Sequence, residues 1–448
     1  NILKRIRRQI MSEHISKKVY YRIEFELLSA MNIGSGDNSF SDKDVIKNSR
    51  GIPYIPGTSI AGVYRKYIDK NYADISCSDY FGQVVINRSV NNEALESAKE
   101  SLVKVYDADV ISDTAAVTKR DCVGLDEYKT VRQGAKFDFE VVEPGARFVT
   151  YIEQDFYNDS QTDVGLLLVK QWLSNGFTFG SKTMRGLGST IVTSACTISF
   201  DFNDEKQKMN WLDFDMYDND GAWKEISIQE EQDCNHIINT NVINISLKQK
   251  SGISIRKYTT AVNSQNDLQA DYSQLTSVIN GKEKPVIPGT SWSGAFRHHM
   301  EKLSAESLNT LFGDMGSKSL IKFSESIIEG AQSKVITRNA IDRFTAGTVD
   351  GALYTEKYYF DGDTTLTIEF PANVSEKHVK ALVTSILDLH FGYLAIGGLT
   401  SVGRGLFEIT HISINDNEYD APYIAEDGTV PAYKEWLQQI KYKEETVI

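Results

Sequence analysis

Three carboxylates crowd one short loop of this chain. The stretch "GSGDNSFSDKDVIKN" (34–48) holds Asp37, Asp42 and Asp44 among glycine, serine and asparagine. A loop carboxylate can ligate a hard divalent cation or polarise a ribose 2′-hydroxyl. A second kind of chemistry follows directly. In "IPGTSIAGVYRKY" (55–67) a proline–glycine turn leads into helical spacing, so Gly57, Thr58 and Ser59 offer N–H groups and hydroxyls at a helix start, a seat for phosphate. Arg65 and Lys66 lie about two turns further on. A third stretch, "GSKTMRGLG" (180–188), sets Lys182, Arg185 and Gly186 in a glycine loop whose backbone can approach an anion closely. Its spacing fits neither the Walker nor the dinucleotide-binding pattern. Alone, each stretch has an ordinary reading: a solvated acidic loop, a helix cap, a tight turn.

Repetition changes that balance. "IPGTSWSGAFRHH" (287–299) repeats the first turn, and "PYIPGTSIAGVYR" and "PVIPGTSWSGAFR" agree at eight of thirteen positions. "YFG" (80–82) returns as "LFG" (311–313), and Arg-Gly-Leu at 185–187 returns at 404–406. Three anchors in one order mark two copies of a unit. The second copy supplies Gly289, Thr290, Ser291 and Arg297 at its turn, and Arg404 and Gly405 at its glycine loop. Asp267 and Asp271 are its loop carboxylates. The expected division is 17–200 for the first copy, 201–239 for an acidic linker or insertion, 240–415 for the second copy and 416–448 for a C-terminal extension.

The elements that must position these groups are legible from periodicity. "YRIEFEL" and "VINISLK" alternate apolar and polar residues, the period of a half-buried strand. The IPGTS turns predict helices capped at Thr58 or Ser59 in the first copy. "VGLLLVKQWL" (164–173) and "EKHVKALVTSILDLH" (376–390) carry helical apolar stripes. Strand–helix units with inserted hairpins predict an α+β fold of two tandem ferredoxin-like domains. The 448 residues, 41% apolar, suffice for two cores. A net charge of −13 argues against a broadly basic nucleic-acid binder but not against local basic paths. Four scattered cysteines predict free thiols, and seven histidines form no ligand-spaced cluster. The basic N-terminal run lacks the apolar stretch of a signal peptide, and no apolar run reaches membrane-spanning length, so a cytoplasmic location without membrane contact is expected.

The ordered set of an alternating strand, a polar loop, IPGTS, a following Phe-Gly and a late glycine loop resembles the repeat-associated mysterious protein (RAMP) superfamily of CRISPR systems. Within it, the chain resembles the Cas-seven-like backbone subunits of type III effector complexes, here as a tandem fusion similar to the multi-domain subunits of subtype III-D. "GAKFDFEVVEPGARFVTYI" (134–152) resembles the stretch after that family's thumb hairpin. "NAIDRFTAGTVDGALYTEKYY" (339–359) resembles the Ile-Asp-Arg-x-Thr segment that opens it. The resemblance implies a guide-RNA-binding subunit that cleaves complementary target RNA with a divalent metal, Mg²⁺ or Mn²⁺, by attack of a ribose 2′-hydroxyl. The family's aspartate precedes Val-Ile-Lys, which places the role and the metal on Asp42, with Asp44 as the near alternative and Asp271 in the second copy. It also implies an RNA path along Lys47, Arg50, Arg65, Lys66, Lys182 and Arg185, then Arg256, Lys257, Arg297, Arg338, Arg343 and Arg404. Implied partners are guide RNA, target RNA and the other subunits of the complex: a large signalling or nuclease subunit, other RAMP subunits and a small subunit. Two alternatives stand beside this reading: a non-catalytic RNA-holding subunit and a guide-precursor endonuclease.

Overall fold

The computed structural model describes residues 14–36, 41–82, 99–111, 115–125, 131–218, 222–226, 240–257, 270, 272–279, 281–303, 307–314 and 316–443. In the first copy the alternating stretch becomes β1 (Lys17–Leu27), with Val19, Tyr21, Ile23, Phe25 and Leu27 buried. The IPGTS turn opens α1 (Gly57–Asn71), which buries Ile60, Tyr64 and Ile68 at helical spacing. Then come the short β2 (Val103–Val105) and β3 (Ala108–Val110), a hairpin of β4 (Val117–Leu125) and β5 (Val131–Val142), β6 (Arg147–Phe156), α2 (Val164–Asn175) and β7 (Thr190–Asp201). The sheet order is β2/β3–β6–β1–β7, all antiparallel, which is the ferredoxin-like order.

The second copy repeats this plan as β8 (Thr240–Gln249), α3 (Gly289–Leu303), β9 (Lys322–Phe323), a hairpin of β10 (Gln332–Ile341) and β11 (Thr348–Phe360), β12 (Asp363–Pro371), α4 (Glu376–Phe391) and β13 (Phe407–Ile414). Its sheet runs β9–β12–β8–β13. The fold is therefore α+β with two tandem ferredoxin-like units, each with a hairpin inserted between its second and third core strands.

A buried tryptophan anchors each core. Trp172 lies 4.6 Å from the Phe25 ring, and its indole N–H donates to Thr190 at 2.8 Å. Trp292 donates to Ser326 at 3.0 Å. Both polar ends are satisfied, so burial carries no unpaired donor. The acidic segment after β7 is not bare chain. It forms a helix at Glu205–Leu212, whose Trp211 donates to the Tyr20 hydroxyl at 2.9 Å, and a short strand at Lys224–Glu225 beside β7. This explains why Lys18 and Tyr20, on the outward face of β1, are buried. The last residues add a strand at Asn417–Asp420 and a helix at Pro431–Gln439 whose Trp436 joins the second core.

The helix cap differs from expectation. Pro56, not Thr58 or Ser59, stands at the cap of α1, and neither hydroxyl caps it. The side chain of Asp107 supplies the acceptor instead, taking the Gly57 N–H at 2.7 Å. The Ile-Asp-Arg-x-Thr segment also sits elsewhere: it forms the tip of the β10–β11 hairpin rather than its opening. There Asp342 accepts from the N–H groups of Phe344 and Thr345 at 2.9 and 2.7 Å.

The two copies join end to end. The glycine loop of the first copy lies against the start of α3: a Cβ on Gly289 would stand 2.5 Å from the Arg185 carbonyl oxygen, and one on Gly186 only 2.3 Å from the Glu325 nitrogen. On β4, Arg120 crosses the same boundary. Its guanidinium pairs with both Glu325 oxygens, one at 3.1 Å, donates to Ser277 at 2.6 Å, and lies 3.5 Å from Glu143.

Candidate functional site

The structure gathers Asp42, Lys182 and Arg185, far apart in the chain, around one cleft of about 520 Å³, with Lys43, Phe137 and Asp138 completing its wall. The loop carboxylate is fixed by reciprocal bonding. Asp42 N–H donates to Asp138 Oδ1 at 2.9 Å, and Asp138 N–H donates to Asp42 Oδ2 at 2.9 Å. The loop thereby pairs with β5 and points Asp42 outward, where it is exposed. Lys119, on the facing strand β4, pairs with Asp138 at 2.5 Å. That bond holds the Asp138 carboxyl below the usual carboxylate range, with the N–H from Asp42 helping against a small burial penalty.

The basic side of the cleft comes from the glycine loop. Lys182 adopts a left-handed backbone (φ 58°), and Gly188 tolerates no side chain because a Cβ would lie 1.8 Å from the Phe179 carbonyl oxygen. These constraints lift the Lys182 ammonium over the Phe139 ring, 3.4 Å from its centre. Burial, and then the neighbouring Lys43 and Arg185, lower the Lys182 pKa. An anion entering the cleft would relieve that repulsion. Arg185 is exposed and has no carboxylate partner among the described residues.

The other expected site residues fall in different places. Asp44 is buried and accepts from the Ser41 N–H and hydroxyl at 2.8 and 2.7 Å, so it shapes the loop from inside. Lys47 pairs with Glu140 at 2.9 Å, tying the loop to β5. The Gly57 N–H is taken by Asp107, and Gly289 and Gly186 are packed at the copy boundary, so none of the three faces the cleft. Thr58, Thr290 and Arg65 are exposed, and Ser59 and Ser291 half-buried, along the two helix starts. Arg297 is spent within its own copy, on Glu301 at 3.1 Å, Asn309 at 2.8 Å and the Gly313 carbonyl at 3.2 Å. Arg256 lies over the Tyr272 ring, and Arg338 and the exposed Arg343 lie along the second hairpin. Asp37, Asp267 and Asp271 lie outside the described residues.

Backbone contacts correct the alignment of the two glycine loops. Gly188 N–H donates to Ala30 as Gly405 N–H donates to Gly252, and Phe179 N–H donates to Gly188 as Ile396 N–H donates to Gly405. Gly405 therefore stands at the place of Gly188, and Gly403 at that of Gly186. Leu399, Val402 and Arg404 then match Lys182, Arg185 and Leu187. The Arg-Gly-Leu text misaligned them by two residues, because it matched letters and not the turn. Arg404 is accordingly turned inward: it is buried, bonds Glu356 at 3.1 Å and stacks 3.4 Å above Tyr358. In the first copy an apolar cluster of Ala30, Phe139, Val141 and Leu187 fills the same space.

Sequence reasoning passed over Asp138, Lys43 and Phe137. The alternation in "KFDFEV" carried a signal, since Asp138 faces away from the buried Phe139. As for a metal, Asp42 and Asp138 are two adjacent carboxylates, and no group of three His, Cys, Asp or Glu side chains suited to a metal occurs among the described residues. Both Asp138 oxygens are engaged, by the Asp42 N–H and the Lys119 ammonium, so Asp42 is the carboxylate that fits a hydrated Mg²⁺ or Mn²⁺ completed by a substrate phosphate, not a cage made by protein alone.

Among the described residues no helix is long and apolar enough to cross a membrane. No curated protein matches the chain. A solved chain described as "Cryo-EM structure of the Type III-B Cmr-beta bound to cognate target RNA" aligns at 15% identity and a TM-score of 0.29. The match covers 40% of this chain and 61% of that one, under two thirds of its length. The family model of the RAMP superfamily matches residues 24–191 and 271–408, one stretch in each copy and more than half of the whole. The chain belongs to the RAMP superfamily.

Proposed function

We propose that this protein is an RNA-holding backbone subunit of a type III CRISPR effector that cuts complementary target RNA at the cleft of its first copy. The observation that carries the reading is the convergence of Asp42 with Lys182 and Arg185 around one open cleft. Guide RNA would run along the basic residues, with specificity left to base pairing. At the cut, a ribose 2′-oxygen attacks the adjacent phosphorus, the 5′-oxygen leaves, and a cyclic phosphate results. Asp42 is suited to orient or deprotonate the 2′-hydroxyl. Lys182 and Arg185 are suited to hold the phosphate, whose charge grows as the bond forms. A divalent metal held through Asp42 would supply further charge neutralisation there.

The second copy supports a holding role. Leu399 and Val402 replace the two cations of the first loop, and Arg404 is committed to Glu356. Asp271 remains its candidate carboxylate, and a cutting role for it belongs to the same test. The test is cleavage of target RNA by the guide-loaded complex, in Mg²⁺, in Mn²⁺ and in EDTA. Wild type is compared with Asp42→Asn and Asp271→Asn. Loss of one mapped cut in Asp42→Asn, with RNA binding kept, is the expected result. Unchanged cuts in both variants would leave the protein as a scaffold.

A further inference from the structure

Attack of a 2′-oxygen on phosphorus expels the 5′-oxygen from the opposite side, so the cut needs a proton acceptor on one side and a donor on the other. Asp42 serves the first side: its Oδ2 takes the Asp138 N–H, and its Oδ1 has no partner among the described residues. Three cations border the same cleft, Lys43, Lys182 and Arg185. A guanidinium keeps its proton at any ordinary pH, so Arg185 can hold a phosphate but cannot protonate a leaving group. Lys43 is exposed, beside Asp42 on the same loop, whereas Lys182 is half-buried. The loop 41–48 joins the edge of β5, where the Asp138 N–H donates to Asp42 and the Glu140 N–H donates to the Lys43 carbonyl at 3.0 Å. Lys182 stands over a face of that strand instead, its ammonium 3.4 Å from the centre of the Phe139 ring and 5.3 Å from that of Phe137. Alternation turns these two rings and the Asp138 side chain to opposite faces of β5. Carboxylate and ammonium therefore reach the cleft from different sides of one strand.

Two further observations single out this ammonium. No carboxylate acts on it: after burial, its charged neighbours are Lys43, Cys122 and Arg185, and of these only Cys122 favours the protonated form. An ammonium without a carboxylate gives up its proton more readily than an ion-paired one. The turn, moreover, does not require a lysine. Leu399 holds the same place in the second copy with the same left-handed backbone, φ 56° against 58° for Lys182. The fold imposes that backbone on both copies, and the amine is present only in the first.

We propose that Lys182 is the general acid of the cut, its Nζ giving a proton to the departing 5′-oxygen. The inference rests on the cleavage reading above. The 2′-oxygen bonds to phosphorus as its proton passes to Asp42. The bond from phosphorus to the 5′-oxygen breaks, and its electron pair takes the Nζ proton. A cyclic phosphate and a 5′-hydroxyl result, and water returns the proton from Asp42 to the amine. Arg185 keeps its hold on the phosphate throughout. The test compares two target RNAs cut by the guide-loaded complex in single turnover: one natural, one with sulfur in place of the 5′-oxygen at the cut that depends on Asp42. A thiolate leaves without protonation, so the sulfur target needs no acid. Lys182→Arg keeps the charge and removes the transferable proton. It should slow the natural target by about 10²-fold or more, cut the sulfur target at close to the wild-type rate, and bind both RNAs as wild type does. Asp42→Asn should slow both. Equal slowing of the two targets by Lys182→Arg, or slowing of neither, would overturn the proton role while leaving the cut assigned to Asp42. Failure of wild type to cut, or full cutting by Asp42→Asn, would remove the cleavage reading and this inference with it.

Discussion

Replacing Arg120 by methionine keeps most of the side-chain volume and deletes one buried charge. The side chain is 6% exposed, and the two carboxylates around it, Glu325 and Glu143, are 1% and 2% exposed. Removing the cation strands both acids away from water. Breaking a buried pair from one side costs about 3–5 kcal/mol, against a total stability of roughly 5–15 kcal/mol for a domain. The expected loss is therefore about 3 kcal/mol or more, felt at the boundary between the copies. Urea unfolding followed by tryptophan fluorescence reads it, since each core buries a tryptophan. A stranded carboxyl has its folded pKa raised, so the folded variant binds more protons than the unfolded chain, and the deficit should shrink as pH falls from about 8 to 5. Adding Glu325→Gln should recover part of the loss, because the double variant no longer strands that charge. A cost under about 1 kcal/mol for Arg120→Met, or a deficit that grows on acidification, would refute the reasoning.

Three further outcomes follow from the same geometry. Lys182→Ala should weaken RNA binding by the guide-loaded complex and lower the salt slope of log K by about one, as expected for one phosphate contact, measured by titration at several salt concentrations. Glu153→Gln should flatten the acid limb of the stability curve. Burial opposes ionisation of Glu153, but hydrogen bonds from Lys18 and Tyr106 outweigh it and lower its pKa, so its contribution is present above the ordinary value of 4.5 and lost as pH falls below it, which melting temperatures between pH 3 and 6 would show. Gly188→Ala should cost about 2 kcal/mol or more, read as a lower melting temperature, because the new Cβ meets a backbone oxygen that has no room to move.

Much of the fold was legible because it follows from short-range rules. Alternation in β1 and β8 announced half-buried strands, and the apolar stripes of α2 and α4 announced packed helices, since each pattern matches one period of one element. The cleft was half legible. Asp42 and the Lys182–Arg185 loop were readable as residue types suited to phosphate chemistry. Asp138 was not, because its value lies in a reciprocal backbone bond with a loop nearly a hundred residues earlier.

The sequence by itself determined that a unit is written twice, that each copy has its own core, and that a carboxylate loop and a basic glycine loop occur in the first. Tertiary structure decided what the repeated text does. Two IPGTS turns nearly identical in letters end differently: Gly57 gives its N–H to Asp107, while Gly289 receives the neighbouring copy's loop. The arginines in the two Arg-Gly-Leu runs point opposite ways, Arg185 outward and Arg404 into a buried pair. Local sequence sets which backbone shapes are allowed, but burial and pairing depend on what chain arrives alongside, and only the folded assembly of both copies fixes that.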